Sequence, residues 1–515
     1  SSVSSSSAAN NSVAEAEKKV NSASSEDTDS SANLSSVDTT TLSVADSGNA
    51  RMYTNGLATV ADSKVTTNTN GQSSASTAAN VAAQAEIEKT AAAADDPSVA
   101  TVSDFAGLSK AIMDKNITTI NLTSDIDLSG VTKVSELKVD GGLTTHSSLL
   151  STNYELSADA SDISRTLTIN GNGHTLDMGK WYISFEKDSV GDNQWDLTLK
   201  NLTLKNTGTT SGAITSTDYT PIYFGDVGKS NLPNTNLTFE DVTAKLNTVL
   251  VNDGEPVNVI FKGTDVIKIA PLANNATGSV LLGANRNMIY ANSVYIADNA
   301  NVSITGSMTG NLITGSKLAT DEGHNVIRLD NSNSSNAGNM TVGKNTTLNI
   351  DTTASTVSVR GIASRNTDGT LNLEEGATVN MNMGIGYSSA VLLSNLILDK
   401  DSTLYIKTQQ DNAGVQPNVG QNGYLYAPIG LGVIALSQPS TATLKVSEGA
   451  TLKVVRGSVS STTPLIAMGQ SNPVGLGSYP YTIEFDDGST VDLQDGNTKY
   501  GGLGTGLATK KAYSA

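Results

Sequence analysis

The stretch TLKVSEGATLKV, residues 443–454, decides how most of this chain folds. Leu444 and Val446 alternate with polar residues, a Glu-Gly pair follows at 448–449, and the alternation resumes at Leu452. Alternation with a period of two indicates a strand with one buried face, and Gly between two such runs indicates a turn. The stretch is therefore predicted to form a strand, a turn and a second strand.

The same twelve-residue unit occurs six times in the chain. The other copies are SVYIADNANVSI, NMTVGKNTTLNI, TLNLEEGATVNM, NLILDKDSTLYI and TIEFDDGSTVDL, which begin at Ser293, Asn339, Thr370, Asn395 and Thr482. In every copy the second, fourth, tenth and twelfth residues are apolar, and the seventh is Gly, Asn or Asp. Successive copies begin 46, 31, 25, 48 and 39 residues apart, so the unit is constant while the connections vary in length.

These units predict an all-β fold, a right-handed parallel β-helix, or β-solenoid. Each unit has only one apolar face, and stacked coils bury those faces in one continuous core. Because 37% of the residues are hydrophobic and only 4% are aromatic, that core must consist mainly of aliphatic side chains. A coil rises about 4.8 Å, and we expect about 14 to 17 coils. A string of β-sandwich modules is the alternative, because alternating strands and turns occur there too.

Two regions of different composition divide the chain. Residues 1–95 are dominated by Ser, Ala, Thr, Asn and Asp, with Tyr53 as the one aromatic residue, so we expect a disordered leader. Residues 96–515 are predicted to form the solenoid. A short capping helix is expected at about 103–115, with Ser103 as its N-cap and Phe105 on its apolar face. This helix would close the open end of the core.

The net charge of −18 argues against nucleic acid and other polyanions as partners at neutral pH. At about pH 4, roughly half of the carboxyl groups would be protonated while all basic groups stay charged, which gives a net charge of roughly +10. Binding to an acidic polymer is therefore expected to strengthen in acid, and nucleic acid is conceivable as a partner only there.

Several stretches together resemble a known family. They are the Ser-rich leader, the opening ATVSDFAGLSKAIMDKNITTINLTSDIDL at 100–128, the segment TLTINGNGHTLDM at 166–178 and the EGATL-type coils. In these features, over about residues 97–515, the chain resembles the binding region of serine-rich repeat adhesins of lactobacilli. The resemblance implies a pectate-lyase-like solenoid that is secreted by a dedicated route, O-glycosylated on serine repeats and attached to the cell wall outside the cell. It also implies adhesion to mucus, epithelium or acidic polysaccharide.

One fragment suggests catalysis. Residues Asn366–Gly369, NTDG, match a tetrad of polygalacturonases in which the Asp is a catalytic carboxylate. The paired carboxylates Asp486 and Asp487 lie more than a hundred residues downstream, and no histidine follows His324. Inverting hydrolysis needs two carboxylates held roughly 6.5–9.5 Å apart. We therefore predict a turn at this tetrad and no enzyme activity.

Metal sites are also not expected. Hard cations bind clustered carboxylates, for which the candidates are Asp125 and Asp127, and Asp321 and Glu322 beside His324. These residues are predicted to be solvated loop carboxylates. His146, His174 and His324 are scattered without paired spacing, so we predict neither a transition-metal site nor a cofactor.

Ligand-binding residues are predicted in long connections and at strand ends. Sugars stack on aromatic rings, and acidic sugars pair with Arg and Lys. Tyr424 and Tyr426 lie in the connection 408–440, and Arg456 follows about one coil later, where we expect it on the surface. The residues predicted to extend this face are Lys317, Arg328, Arg360 and Arg365.

The predicted function is a non-catalytic cell-surface adhesin module. Its expected partners are acidic polysaccharides such as pectin-like polymers or glycosaminoglycans, mucin, and host epithelium or mucus. The alternatives are a lyase or hydrolase of pectin-like polymers and a self-associating biofilm component.

Overall fold

The computed structural model describes the parts of the chain that build the solenoid. These are residues 96–146, 154–158, 163–185, 194–207, 220–224, 235–252, 257–270, 287–308, 325–329, 338–355, 359–364, 368–384, 389–409, 427–432, 442–457, 464–468, 481–496, 503–505 and 512–513. They belong to one compact unit, residues 90–515. The predicted leader, residues 1–95, lies outside the described residues, and the predicted domain boundary stays a prediction.

The strands, numbered β1 to β36 in chain order, form four sheets. Sheet A contains β1 (Val99–Val102), β2 (Thr119–Leu122), β6 (Thr166–Asn170), β9 (Asp196–Lys200), β12 (Asn236–Glu240), β15 (Asn258–Lys262), β18 (Ser293–Ile296), β21 (Asn339–Val342), β24 (Thr370–Leu373), β27 (Asn395–Leu398), β30 (Ala442–Val446) and β33 (Tyr481–Phe485).

Sheet B follows sheet A along the chain in almost every coil. It contains β3 (Ile126–Asp127), β7 (Thr175–Asp177), β10 (Thr203–Lys205), β13 (Thr243–Leu246), β16 (Thr264–Ile269), β19 (Asn301–Gly306), β22 (Thr347–Asp351), β25 (Thr378–Met383), β28 (Thr403–Thr408), β31 (Thr451–Arg456) and β34 (Thr490–Asp495).

The third strand of each coil belongs to one of two further sheets. Sheet C contains β4 (Thr144–His146), β5 (Tyr154–Ala158), β8 (Trp181–Phe185) and β11 (Ile222–Tyr223). Sheet D contains β14 (Val251–Asn252), β17 (Asn287–Ala291), β20 (Asn325–Leu329), β23 (Arg360–Ser364), β26 (Val391–Leu393), β29 (Ile429–Leu431), β32 (Ile466–Met468), β35 (Leu503–Thr505) and β36 (Ala512–Tyr513).

Strand pairing confirms the predicted parallel β-solenoid. Each strand of sheet A pairs in parallel with the strand one coil away, as Leu396 does with Leu444, and sheet B follows the same pattern. Antiparallel pairing occurs between β4 and β5 and between β35 and β36. Parallel pairing from coil to coil is incompatible with antiparallel sandwich modules.

The predicted number of coils is wrong. The longest sheet contains twelve strands among the described residues, where about 14 to 17 coils were expected. The reason is the length of the connections. Residues bonded across neighbouring coils are 22 apart between Asn236 and Asn258, but 39 apart between Lys445 and Glu484.

Register places the apolar residues of successive coils in columns. In sheet A one inward column contains Leu199, Phe239, Phe261 and Ile296, each at most 1% exposed. The rings of Phe239 and Phe261 stack with centroids 5.4 Å apart. Because burial of one such side chain stabilises the fold by about 1.5–3 kcal/mol, these columns hold the coils together.

In ten coils of the described part of the chain, the turn between sheets A and B has a left-handed residue. Its backbone φ lies between 46° and 81° at Asn172, Asn201, Asp241, Gly263, Asn299, Asn345, Gly376, Asp401, Gly449 and Gly488. Gly, Asn and Asp adopt this conformation more readily than other residues. At Gly449 a β-carbon would also lie only 2.0 Å from Oδ1 of Asp401. The left-handed conformation explains why the seventh residue of the repeated unit is restricted to Gly, Asn or Asp.

A cap covers the first coil. Helix α1 (Phe105–Met113) lies between β1 and β2, and a short helix α2 (Val134–Leu137) follows. The predicted capping helix is confirmed and Phe105 is buried, but its N-cap is Asp104 rather than Ser103. Oδ1 of Asp104 accepts a hydrogen bond from the Gly107 amide at 2.8 Å, because the helix begins one residue later than predicted.

Arg165 connects this cap to the solenoid through hydrogen bonds and a ring contact. Its guanidinium donates to the carbonyls of Ile117 and Ile112 at 2.6 and 3.0 Å, and it lies over the ring of Trp195.

Among the described helices, none has the length and apolar character that a membrane span requires.

Candidate functional site

Three lysines on consecutive strands of sheet B stand in register. Lys205 of β10 is paired with Lys245 of β13, and Lys245 is paired with Lys268 of β16. We call this column the lysine ladder. Because neighbouring strands lie about 4.8 Å apart, the three side chains leave the sheet at that spacing.

Within the described ranges, Asp125 and Asp127 attract the ammonium group of Lys205 at one end of the lysine ladder. Lys245 and Lys268 are exposed and Lys205 is half-buried, and within the described ranges none of the three forms an ion pair. Other lysines do form ion pairs, since Nζ of Lys200 lies 2.7 Å from Glu240 and Nζ of Lys453 lies 3.1 Å from Asp492. Two like charges about 5 Å apart in water repel by about 1 kcal/mol. The lysine ladder therefore favours binding of an anion that relieves this repulsion.

A groove of about 580 Å³ accompanies the lysine ladder. Leu246, Ile269 and Ala270 contribute apolar surface, and the polar residues that line it besides the lysines are Thr207, Asn247, Thr305 and Ser307. Ammonium groups beside hydroxyl and amide groups are the donors that carboxylates and sugar hydroxyls accept. This groove is the candidate functional site.

Beyond each end of the lysine ladder lies an aspartate whose side chain accepts hydrogen bonds from backbone amides. Asp177 of β7 is in register with Lys205, and its Oδ1 accepts from the amides of Gly179 and Thr207 at 3.0 and 2.9 Å. On the other side, Lys268 is followed by Thr305 and Asp351. Oδ1 of Asp351 accepts from the Thr353 amide at 2.8 Å. The basic column is thus confined to three coils.

The lysine ladder was not predicted from the sequence. Its signal is a lysine after an inward apolar residue in three successive strands, at TLK (203–205), AKL (244–246) and IKI (267–269). These strands belong to early coils whose turns depart from the twelve-residue unit, so their mutual register was not evident.

Arg456 does not lie on the surface, and the prediction that it does is wrong. The residue is 2% exposed. Its Nε and Nη2 atoms donate to the two carboxylate oxygens of Asp495 at 3.0 and 2.7 Å. Arg456 has the same strand parity as the buried residues Leu452 and Val454, so its side chain is directed inward.

Two other predicted ligand residues, Arg328 and Arg360, do not join Arg456. Arg328 and Arg360 lie on sheet D, on β20 and β23, and the guanidinium of Arg328 lies 5.1 Å from the ring centroid of Tyr290. Arg456 belongs to sheet B, so these residues do not share one face. The predicted residues that lie outside the described part of the chain are Lys317, Arg365, Tyr424 and Tyr426.

The polygalacturonase-like tetrad is partly described. Asp368 is exposed, and its backbone carbonyl accepts from the hydroxyl of Thr370 at 3.0 Å. A β-carbon at Gly369 would lie 2.9 Å from the backbone carbonyl oxygen of Gly338 and 2.7 Å from Cβ of Ser364, so glycine is required at this turn. Asp368 precedes β24, and Asp486 follows β33. These two strands are three strands apart in sheet A, so the two carboxylates are separated by about 14 Å. That exceeds the 6.5–9.5 Å typical of inverting hydrolases.

The two described candidates for a hard-cation site each have protein partners. Oδ1 of Asp125 accepts from the Thr175 amide at 2.8 Å and lies 3.3 Å from Nδ1 of His174. Oδ1 of Asp127 accepts from the Ser129 amide at 2.8 Å. The hydrogen bond from Thr175 is the main cause that lowers the pKa of Asp125. Asp321, Glu322 and His324 lie outside the described residues.

A turnover assay tests the absence of catalysis. Polygalacturonate incubated with the protein and calcium is expected to yield neither unsaturated products nor new reducing ends. Asp368→Asn is expected to behave like the parent chain, because Asp486, a carboxylate of the predicted pair, lies about 14 Å from Asp368 by strand spacing. Sustained turnover that disappears in this variant would contradict the prediction.

Comparisons with known proteins point to adhesion. Residues 99–251 match the model of a family described as "Putative pectate lyase-like adhesive domain". This match confirms the resemblance predicted from the sequence over that range, and it agrees with a non-catalytic chain.

Two solved structures are also similar to this chain. One is a serine-rich repeat protein of Lactobacillus reuteri 53608, at 16% identity over 77% of this chain and 100% of that chain, with a TM-score of 0.42. The other comes from Lactobacillus reuteri 100-23, at 18% identity over 79% of this chain and 98% of that chain, with a TM-score of 0.46. No curated protein sequence matches the chain significantly.

Proposed function

We propose that this chain is the binding module of an extracellular, wall-attached adhesin that holds acidic polysaccharides, including those of mucus, without catalysis. The observation that carries the proposal is the lysine ladder beside its groove. The adhesive description of the family matched by residues 99–251 supports it, and Lys205 and Lys245 lie within that range.

Lysine suits a polymer ligand of this kind. Its ammonium group is a mobile point charge with three donors, so it tolerates small differences between the spacing of the coils and that of the sugars. A polymer with a carboxylate on each successive sugar can offer one anion to each lysine. Charge-assisted hydrogen bonds of this type are stronger than neutral ones.

Binding is proposed to strengthen as the pH falls from 7 toward 4. The chain carries a net charge of −18 at pH 7, which opposes approach of a polyanion. Burial raises the pKa of Glu374 and of Asp399, so these carboxyls lose their charge at a higher pH than exposed ones do. Uronate carboxyls titrate at about 3.5, below most protein carboxyls. Between about pH 5 and 4, the repulsion therefore disappears before the ligand loses its own charge.

A titration on immobilised polygalacturonate at pH 7, 5 and 4 tests both claims. The triple variant Lys205→Gln, Lys245→Gln, Lys268→Gln is expected to lose about 2 kcal/mol, or about thirtyfold in affinity, at pH 4. The parent chain is expected to bind more tightly at pH 4 than at pH 7. About 0.5 M NaCl should weaken that binding, because salt screens exposed charges.

The matched control is a second triple variant, Lys110→Gln, Lys115→Gln, Lys133→Gln. It removes three exposed lysines from the cap region, so it changes the net charge equally. It is expected to bind like the parent chain. Equal losses in both triple variants would show that net charge alone governs binding, and affinity that does not change with pH would refute the acid dependence.

The predicted ligand residues other than Arg456 remain part of the proposal. Tyr426→Ala, tested in the same titration, examines the connection 408–440. Retained affinity in that variant would restrict the proposed site to the lysine ladder.

A further inference from the structure

Asp265 is a carboxyl group inside the core. It lies on β16 and is 0% exposed. Its partner in the next coil is Val302, and the residues at the same position in the following coils are Leu348, Val379, Leu404 and Leu452. Asp265 therefore occupies a place in an apolar column that belongs to the hydrophobic core.

Its carboxyl group has few polar partners. Oδ1 accepts a hydrogen bond from the Val242 amide at 2.8 Å. Oδ2 has no hydrogen bond of good geometry among the described residues, although the Lys262 amide interacts with the carboxyl more weakly. A buried polar atom without a good partner is costly, and an ionised one is more so.

The ionisable groups that surround Asp265 do not compensate a negative charge there. Glu240, which ends β12, and Asp241, in the turn that follows, are both acidic and oppose its ionisation. The strand on its other side, β19, carries no ionisable residue. Lys262 ends β15, and Lys268 lies three residues further along β16 on the exposed face.

Burial is the main cause that raises the pKa of Asp265 to about 8, and Asp241 and Glu240 add to it. In the unfolded chain the carboxyl would titrate near its ordinary value of 3.8. The folded coil therefore holds a proton that the opened coil releases between about pH 4 and pH 8. Acid favours the closed coil in this window, and the stabilisation is lost as the pH rises through the higher value.

We propose that Asp265 is a pH-dependent switch for the coil that carries Lys268. Protonated, its carboxyl stays in the core and keeps β16 in register with β13 and β19. Ionised, it draws water into the column and opens this coil. The effect of this switch on ligand binding rests on the proposed function, because opening displaces Lys268 from the lysine ladder. The switch itself does not depend on the proposed function.

Hydrogen exchange without any polysaccharide tests the switch. The amides of Val266 and Ala270 bond to the carbonyls of Val242 and Leu246, so they report separation of β13 from β16. Exchange is measured from pH 5 to pH 8 and divided by the intrinsic rate of each amide. In the parent chain the opening equilibrium is expected to rise by up to tenfold per pH unit, as release of one proton requires.

Two variants remove the titrating group. Asp265→Asn keeps the shape of the side chain, and Asp265→Val matches the apolar residues of the following coils. Both are expected to give corrected exchange that is flat with pH. Asp298→Asn is the control, because Asp298 is an exposed turn carboxylate, and it should keep the slope of the parent chain.

Two outcomes would overturn the switch: corrected exchange that is flat in the parent chain, or a slope that persists in both Asp265 variants. Using two variants guards against misfolding of one. Because no ligand is present, failure of the switch and failure of polysaccharide binding are separate results.

Discussion

Arg456→Ala is expected to lower the free energy of unfolding by about 3–5 kcal/mol. The guanidinium of Arg456 is fully buried, and the Asp495 side chain that it pairs with is only 10% exposed. Truncation would leave this carboxylate without its bidentate partner, and an uncompensated buried charge is strongly destabilising. The effect should centre on β31 and β34, because solenoid coils contact mainly their neighbours.

Urea unfolding, combined with hydrogen exchange of β31 and β34, measures this loss. The matched control is Lys453→Ala, which breaks an ion pair with Asp492 on the same two strands. That pair is about one-third exposed on both sides, so the control is expected to lose no more than about 1 kcal/mol. Unchanged stability of Arg456→Ala together with weaker polygalacturonate binding would instead support the surface role that the sequence suggested.

Arg165→Ala is expected to lower the free energy of unfolding by about 3 kcal/mol and to release the N-terminal cap. The guanidinium donates to four backbone carbonyls, those of Ile117, Ile163, Ala111 and Ile112, at 2.6 to 3.3 Å. The last two belong to the C-terminal turn of α1, where a cation is favourable, and the Ala111 carbonyl also accepts from the Asp114 amide at 3.3 Å. Desolvation lowers the pKa of Arg165 to about 10, which still leaves it charged at neutral pH.

Hydrogen exchange of the α1 amides together with urea unfolding measures this effect. Arg165→Lys is expected to recover only part of the loss, because an ammonium group cannot reach four carbonyls arranged around a planar fork. Lys110→Ala removes an exposed cation from the same last turn and should cost about 0.5 kcal/mol or less. Unchanged protection of α1 in Arg165→Ala would show that apolar packing alone holds the cap.

Much of the fold follows from local sequence because the repeated unit encodes its own geometry. The alternation around Leu444 and Leu452 defines two buried faces, and both residues are fully buried. The Gly at position 449 predicts the turn between them, and its φ of 71° confirms it. These features depend on neighbours within one coil, so a single sequence contains them.

Charged residues at inward positions were harder to interpret. Arg456 shares the parity of Val454, and Asp265 shares that of Ile267, so the alternation alone places both side chains in the core. The charge of these two side chains predicts instead that they lie on the surface, since isolated charges are rarely buried. The partner of Arg456, Asp495, lies one coil later, and only the register of the coils brings the two together.

The lysine ladder shows a second limit of sequence-based inference. Lys205, Lys245 and Lys268 are separated by connections of different length, and local patterns do not determine how such connections align their strands. The predicted ligand residues were grouped by expected coil spacing. Sheet assignment instead separates Arg328 and Arg360 from Arg456.

The parallel ladders also determine how this solenoid responds to force. Hydrogen bonds between coils point along the stacking direction, so a pull in that direction loads successive coil interfaces in series. Pairing extends over two residues between β3 and β7 but over six between β31 and β34, so the interfaces differ in strength. The weakest coil interface separates first, and each residue that it releases adds about 3.3–3.6 Å to the length of the extended chain. Under tension the structure therefore lengthens one coil at a time and dissipates mechanical work while its remaining coils stay folded.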